Sequence, residues 1–199
     1  MGFSLLVGAT AFPLVNAPAV PAHAQAALAA APVTVTTPAP AAGPSHVVAL
    51  TGYNAVPEQT DDNPFETASG AYSNPEIIAA RSQDLGSELP FGTIIELNGS
   101  TITSSKNDCG YGAVAPLIGY RVIEDTMNAS YTDRLDVLFG TDATYVSPNG
   151  HERNAADVLG NCHGVTYRVV GHVSINHLPK TQAELAALVE KQSTPLAVK

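Results

Sequence analysis

Two aspartates, Asp125 and Asp136, are the residues whose type and spacing best suit acid–base chemistry. Asp125 ends one β-branched run, and Asp136 lies near the start of the next, after a short polar loop. Two carboxyl groups held close together raise the pKa of one of them, because a second negative charge is disfavoured. The pair could then supply one proton donor and one ionised carboxylate. Alternatively, both serve structure, accepting backbone N–H bonds or pairing with Arg134.

Smaller polar residues accompany the two aspartates. Thr67 and Ser69 belong to the hydroxyl-rich segment T-A-S-G, and Asn128 follows Asp125 in the polar loop. These three side chains are candidates to hydrogen-bond the hydroxyl and amide groups of a substrate, and Tyr53 is a candidate to line a binding groove. Residues 67–70 could equally form only a tight turn.

Short β-branched runs separated by Gly, Pro, Asn and Ser clusters predict strands. In the run 134–140, Leu135, Val137 and Phe139 share one face, and Arg134 and Asp136 share the other. Six runs with little helix between them predict an all-β, six-stranded closed barrel over residues 46–176. The runs are residues 46–55, 76–80, 93–97, 118–125, 134–140 and 165–175.

Two helices are predicted beside the strands. Residues 152–159 form a plausible short helix that ends at Gly160. A second, at residues 181–192 in a C-terminal tail of residues 177–199, has Thr181 at its N-cap and Glu184 at the capping-box position. We expect this helix to pack on the barrel without a chemical role.

The first 56 residues contain no charged side chain, which separates a leader from the rest of the chain. Residues 3–15 are an apolar run of signal-peptide length, and the small-x-small sequence at 22–24 fits a cleavage site. Residues 1–24 are therefore interpreted as an export signal and residues 25–45, rich in Ala, Pro and Thr, as a disordered linker. No Lys or Arg precedes the apolar run, so the start could lie upstream, or the segment could be an Ala-rich arm.

Cys109 and Cys162 are the two cysteines of the chain. In an exported protein an even pair predicts a disulfide, here closing a loop of about 53 residues and contributing on the order of 3–4 kcal/mol. A metal site formed with His163 is the competing interpretation, but the paired spacing of metal motifs is missing. We expect neither a metal nor a cofactor.

The charge balance narrows the choice of partners. Acidic residues outnumber basic ones 18 to 9, giving a formal charge of -9. Such a field repels nucleic acid and anionic membrane surfaces. It does not repel a glycan, which offers hydroxyl and amide groups.

Five motifs in order resemble the 3D domain, a family named for three aspartates and shared by membrane-bound lytic transglycosylase A and smaller secreted relatives. The resemblance covers about residues 47–173. In this family a first Asp directly follows the second strand, where this chain has Arg81; whether Asp84 replaces it is open. The matching segments are LTGY and TASG, IIAA with PFGT, EDT with RLDV, ADVLG, and VTYRVVG. The Asp of RLDV lies eleven residues after the Asp of EDT.

The resemblance implies a double-psi β-barrel that acts on peptidoglycan glycan strands. We expect the protein to be a monomer that is exported to the periplasm, the cell wall or the extracellular space. The resemblance also implies that Asp125, with Asp136 close by, protonates the oxygen of the MurNAc–GlcNAc bond. The same carboxylate then helps the C6 hydroxyl to attack C1, leaving a 1,6-anhydro end. Two alternatives stay open: a non-catalytic wall-binding module that uses the same groove, and a partner-binding domain delivered by the Pro/Ala segment.

Overall fold

The computed structural model describes residues 44–60, 63–99 and 109–194. The predicted leader at 1–24 and nearly all of the predicted linker at 25–45 lie outside these ranges. Eight strands are formed within them, bounded as follows: β1 (His46–Asn54), β2 (Ile78–Arg81), β3 (Thr93–Asn98), β4 (Tyr120–Thr126), β5 (Arg134–Phe139), β6 (Thr144–Val146), β7 (Glu152–Asn154) and β8 (Cys162–His172).

Six of these strands close into a barrel in the order β1-β5-β2-β4-β3-β8, with β8 returning to β1. The sheet is mixed, because β1 pairs parallel with β5 and β2 pairs parallel with β4, whereas the other neighbours are antiparallel. The predicted fold class, a six-stranded closed β-barrel with short helices, is confirmed. The other two strands, β6 and β7, form a separate hairpin.

The main hydrophobic core draws on all six barrel strands. On β5 the predicted alternation is present: Leu135, Val137 and Phe139 belong to this core, while Leu138 belongs to a second cluster. Burying a side chain of this size stabilises the fold by roughly 1.5–3 kcal/mol. The intervening positions of β5 are thereby turned away from the main core, and Asp136 is one of them.

A buried cation stands at the beginning of β4. Arg121 is 1% exposed, and burial lowers its pKa to about 9. Each of its three guanidinium nitrogens donates to backbone oxygen, so the desolvated charge is offset by hydrogen bonds. The acceptors are the carbonyls of Pro75, Ile78, Leu117, Ile118 and Leu138.

Three α-helices accompany the barrel: α1 (Tyr111–Ile118), α2 (Ala155–Leu159) and α3 (Gln182–Ser193). The α3 prediction is confirmed, since Thr181 caps the helix by accepting from the Glu184 backbone N–H, and buried Leu185 and Val189 pack on the barrel. The sequence did not predict α1.

The helix predicted at 152–159 is wrong in its first turn. Residues Glu152–Asn154 pair with β6 as strand β7, and helix α2 begins only at Ala155. The Asn154 side chain accepts from the Ala156 backbone N–H, which fixes the start of the helix there. Gly160 follows the helix at positive φ, as predicted.

Cys109 and Cys162 form a disulfide, as predicted. Both sulfur atoms are therefore committed, and the alternative of a metal site at these cysteines is wrong. The bond joins the segment before α1 to the start of β8, beside an isolated bridge between Cys109 and Gly160. Within the described ranges, every helix is too short or too polar to cross a membrane.

Candidate functional site: a carboxylate cleft

Asp125 and Asp136 line one cleft of about 650 Å³, here called the carboxylate cleft. Tyr53 and Ala80 contribute from neighbouring strands, and Ala68 and Asn128 from loops. Its volume falls within the range of small-molecule and cofactor sites. The two residues predicted to carry the chemistry thus share one solvent-connected space.

Strand β2 lies between the two aspartates. Ala80 is the register partner of Asp125 on β4 and also of Asp136 on β5. Adjacent strands are about 4.8 Å apart, so the two aspartate backbones stand roughly 10 Å from each other at one level of the barrel. The intervening side chain is a single methyl group, which leaves the space between the carboxyl groups open.

A register shift separates Asp125 from its neighbour Glu124. Ala79 pairs with Ile123 and Ala80 pairs with Asp125, so Glu124 is an extra residue in β4. Such β-bulges redirect side chains and are common beside active sites. Glu124 lines a different groove from the carboxylate cleft.

The Asp125 carboxylate is held by three donors. Its Oδ2 accepts from the Tyr53 hydroxyl at 2.8 Å, and its Oδ1 accepts from the backbone N–H of Ala68 at 3.0 Å and of Thr126 at 2.8 Å. Hydrogen bonds of this kind are stronger when the acceptor is charged. The arrangement fixes the carboxylate and suits an ionised group.

Asp136 has the opposite environment. Burial raises its pKa to about 7, with a further contribution from the charge of Asp125; a hydrogen bond with Thr51 and the charge of Arg134 act the other way. Its buried Oδ1 has no hydrogen-bond partner in the described ranges. Asp136 is therefore protonated in a large share of molecules at neutral pH, as a general acid must be.

Tyr53 connects the two carboxyl groups electrostatically. It is 8% exposed, and burial raises its pKa well above the ordinary value, helped by Asp125 and by Asp136. The phenol therefore keeps its proton and acts as a donor to Asp125. The prediction that Tyr53 lines the site agrees with its position in the cleft.

Of the other three predicted substrate-binding residues, only Asn128 lines the carboxylate cleft. Buried Thr67 stays inside its own turn, bonding the Ala71 carbonyl and the Ser69 hydroxyl. Gly70 adopts φ +87° in this turn, a conformation that suits glycine. Ser69 lines the groove that contains Glu124.

Asp84 lies outside the carboxylate cleft. It is exposed, and its Oδ2 accepts from the Asp133 backbone N–H at 3.0 Å, which lowers its pKa. Asp133 has φ 48°, so Asp84 supports a strained turn before β5. Arg81 is likewise engaged elsewhere, donating to the carbonyls of Leu89 and Ser82.

Ala80 and Ala68 both line the cleft, and neither was predicted from the sequence. Ala80 offers no reactive group, and its role depends on strand register, which the sequence pattern does not fix. Ala68 acts through its backbone N–H, which any residue except proline possesses. For Ala68, the sequence offered one indication, the T-A-S-G segment. Its small side chains allow the Ala68 backbone to come within hydrogen-bond distance of Asp125.

Comparison with models of known protein families finds no match to this chain, and comparison with curated proteins finds none either.

Proposed function

We propose that this protein acts on peptidoglycan and cleaves its MurNAc–GlcNAc bond as lytic transglycosylases do. One observation carries the proposal: the carboxylate cleft pairs Asp136, whose pKa is raised to about 7, with the firmly hydrogen-bonded carboxylate of Asp125. Cleavage of a glycosidic bond requires one proton donor and one group that stabilises an oxocarbenium-like transition state. The sequence resemblance to the 3D domain supports the same chemistry.

The roles of the two aspartates follow from their environments. Asp136 donates its proton to the glycosidic oxygen as the bond to C1 breaks, and Asp125 stabilises the positive charge that develops on the sugar. The C6 hydroxyl of the same sugar then bonds to C1 and returns its proton to Asp136. The products are a 1,6-anhydro end and a free 4-hydroxyl. This proposal exchanges the roles expected from the sequence, where Asp125 was the donor.

Peptidoglycan lies outside the cytoplasm, so the proposal requires export. The disulfide between Cys109 and Cys162 supports this location, because disulfides persist mainly in oxidising compartments. The signal-like leader predicted at residues 1–24 supports it independently.

Purified peptidoglycan incubated with the protein tests the proposal. Mass spectrometry should find new 1,6-anhydro muropeptides with the wild type, and at least about 100-fold fewer with Asp136→Asn, which cannot donate a proton. Asp142→Asn is the matched control, because Asp142 is exposed and is not among the described residues that line the cleft. Wild-type digests without anhydro ends would contradict the enzymatic proposal.

A non-catalytic glycan-binding module is the second candidate. The three hydrogen bonds to Asp125 are compatible with it, because a carboxylate that only holds the cleft in shape would be bonded in the same way. In that case the protein co-sediments with peptidoglycan and generates no new ends. Absence of co-sedimentation would instead favour the third class, a partner-binding domain.

A further inference from the structure

A second groove of about 530 Å³ adjoins the Glu124 side chain, here called the Glu124 groove. It shares no lining residue with the carboxylate cleft. Ser69, His172 and Ser174 contribute polar groups, and Phe91, Val173 and Ile175 form apolar walls.

Glu124 is wholly buried, and neither carboxyl oxygen has a hydrogen-bond partner in the described ranges. Buried polar groups are nearly always satisfied, because desolvation without compensation is costly. Burial raises the Glu124 pKa; the nearby Ser69, Gly92 and His172 oppose this. An unsatisfied carboxyl group that lines a groove leaves room for a partner from beyond the described residues.

The nearest donors are already in use. The Gly92 N–H donates to the Ile123 carbonyl. The Thr67 and Ser69 hydroxyls share a hydrogen bond of 3.0 Å in which either oxygen can donate, and Thr67 also bonds the Ala71 carbonyl. Among the residues that the structure describes, none therefore commits a donor to Glu124, which keeps its accepting capacity.

No cationic side chain in the described ranges forms a salt bridge with Glu124. Arg81 approaches the groove, but its guanidinium lies over the Phe91 ring, 5.3 Å from the centroid, and its donors serve backbone carbonyls. His172 faces Glu124 from β8 and is exposed. In the described ranges no cation is thus committed to Glu124, and the net charge of -9 favours the approach of one from solution.

We propose that the Glu124 groove binds a primary ammonium group carried on an aliphatic chain, such as a lysine side chain. The ammonium supplies the missing donors and charge to Glu124. Phe91, 37% exposed, and Ile175, 39% exposed, cover the methylene stem, and an aromatic face also attracts a cation. The binding depends on neither the carboxylate cleft nor the proposed glycan chemistry.

The test is a titration of the full chain with pentylammonium at pH 7.5, followed by backbone amide NMR. We expect shift changes at Gly92, His172 and Val173, with a dissociation constant on the order of 1–10 mM. Pentanol, which has the same stem and no charge, is expected to bind at least tenfold more weakly. Equal binding of the two ligands, or shifts confined to Asp125 and Asp136, would overturn the proposal.

Glu124→Gln adds a second readout, because it removes the charge and keeps the shape. We expect it to lose at least tenfold in pentylammonium affinity and to bind pentanol as the wild type does. Glu152→Gln, at an exposed position of β7, is the matched control and should bind pentylammonium normally. Unchanged affinity in Glu124→Gln would assign the binding to another site.

Discussion

Arg121 and Asp136 are both buried ionisable residues of the barrel, but they differ in how well their polar atoms are hydrogen-bonded. Every guanidinium nitrogen of Arg121, at the start of β4, donates to backbone carbonyls. Asp136, on β5, has one buried oxygen for which the described part of the chain supplies no hydrogen-bond partner. A satisfied buried charge stabilises the fold, whereas an unsatisfied one costs stability and is retained where it serves chemistry or binding. The comparison separates the end of the barrel that holds Arg121 from the carboxylate cleft.

The largest expected effect follows from removing the satisfied charge. In Arg121→Met, five carbonyl groups lose a buried donor, and we expect the free energy of unfolding to fall by at least about 3 kcal/mol. Urea denaturation at pH 7 measures the loss. The exposed Arg153→Met should change stability by no more than about 0.5 kcal/mol, and a similarly small effect at Arg121 would break the comparison.

Removing the unsatisfied charge should do the reverse. The folded-state pKa of Asp136 is raised from 3.8 to about 7, so the stability that this group contributes is fully present below pH 3.8 and is lost as the pH rises through 7. Asp136→Asn avoids this loss, and we expect it to be more stable than the wild type by about 2–4 kcal/mol at pH 8 and nearly equal at pH 4. Paired urea melts at the two pH values measure this difference; a destabilised variant at pH 8 would contradict it.

A smaller change in stability is expected when Tyr53, the hydrogen-bond donor to Asp125, is altered. Tyr53→Phe removes the hydroxyl that donates to Asp125 and leaves the ring in place. We expect a loss of about 1–2 kcal/mol in unfolding free energy, together with weaker glycan cleavage. Thermal melts and the muropeptide assay measure the two effects. Tyr145→Phe, in the β6–β7 hairpin, is the control and should change neither.

Much of the fold could be predicted from local sequence. The six strands follow from β-branched runs whose alternation, as in Leu135 to Phe139, places one face in the core. The α1 helix could not be predicted, because Gly112 and Pro116 lie inside it and both disfavour a helix locally. The first turn predicted for α2 was wrong because Glu152–Asn154 pair with β6, and tertiary pairing outweighs local propensity.

The candidate site was only partly predictable. The sequence placed Asp125 and Asp136 at strand ends, and both line one cleft. It did not reveal that Ala80 stands between them or that β4 bulges at Glu124, since both depend on strand register. It also could not show which carboxyl group is buried and which is held by hydrogen bonds. That difference depends on residues from other strands and loops.

The most direct test of this account is a carbon-13 NMR titration of the Asp136 carboxyl group. We predict a midpoint near pH 7 in the wild type. The midpoint should fall in Asp125→Asn, because the Asp125 charge is one cause of the raised value. A wild-type midpoint near 4, where ordinary aspartates titrate, would show that Asp136 is ionised at neutral pH and would contradict its role as the proton donor.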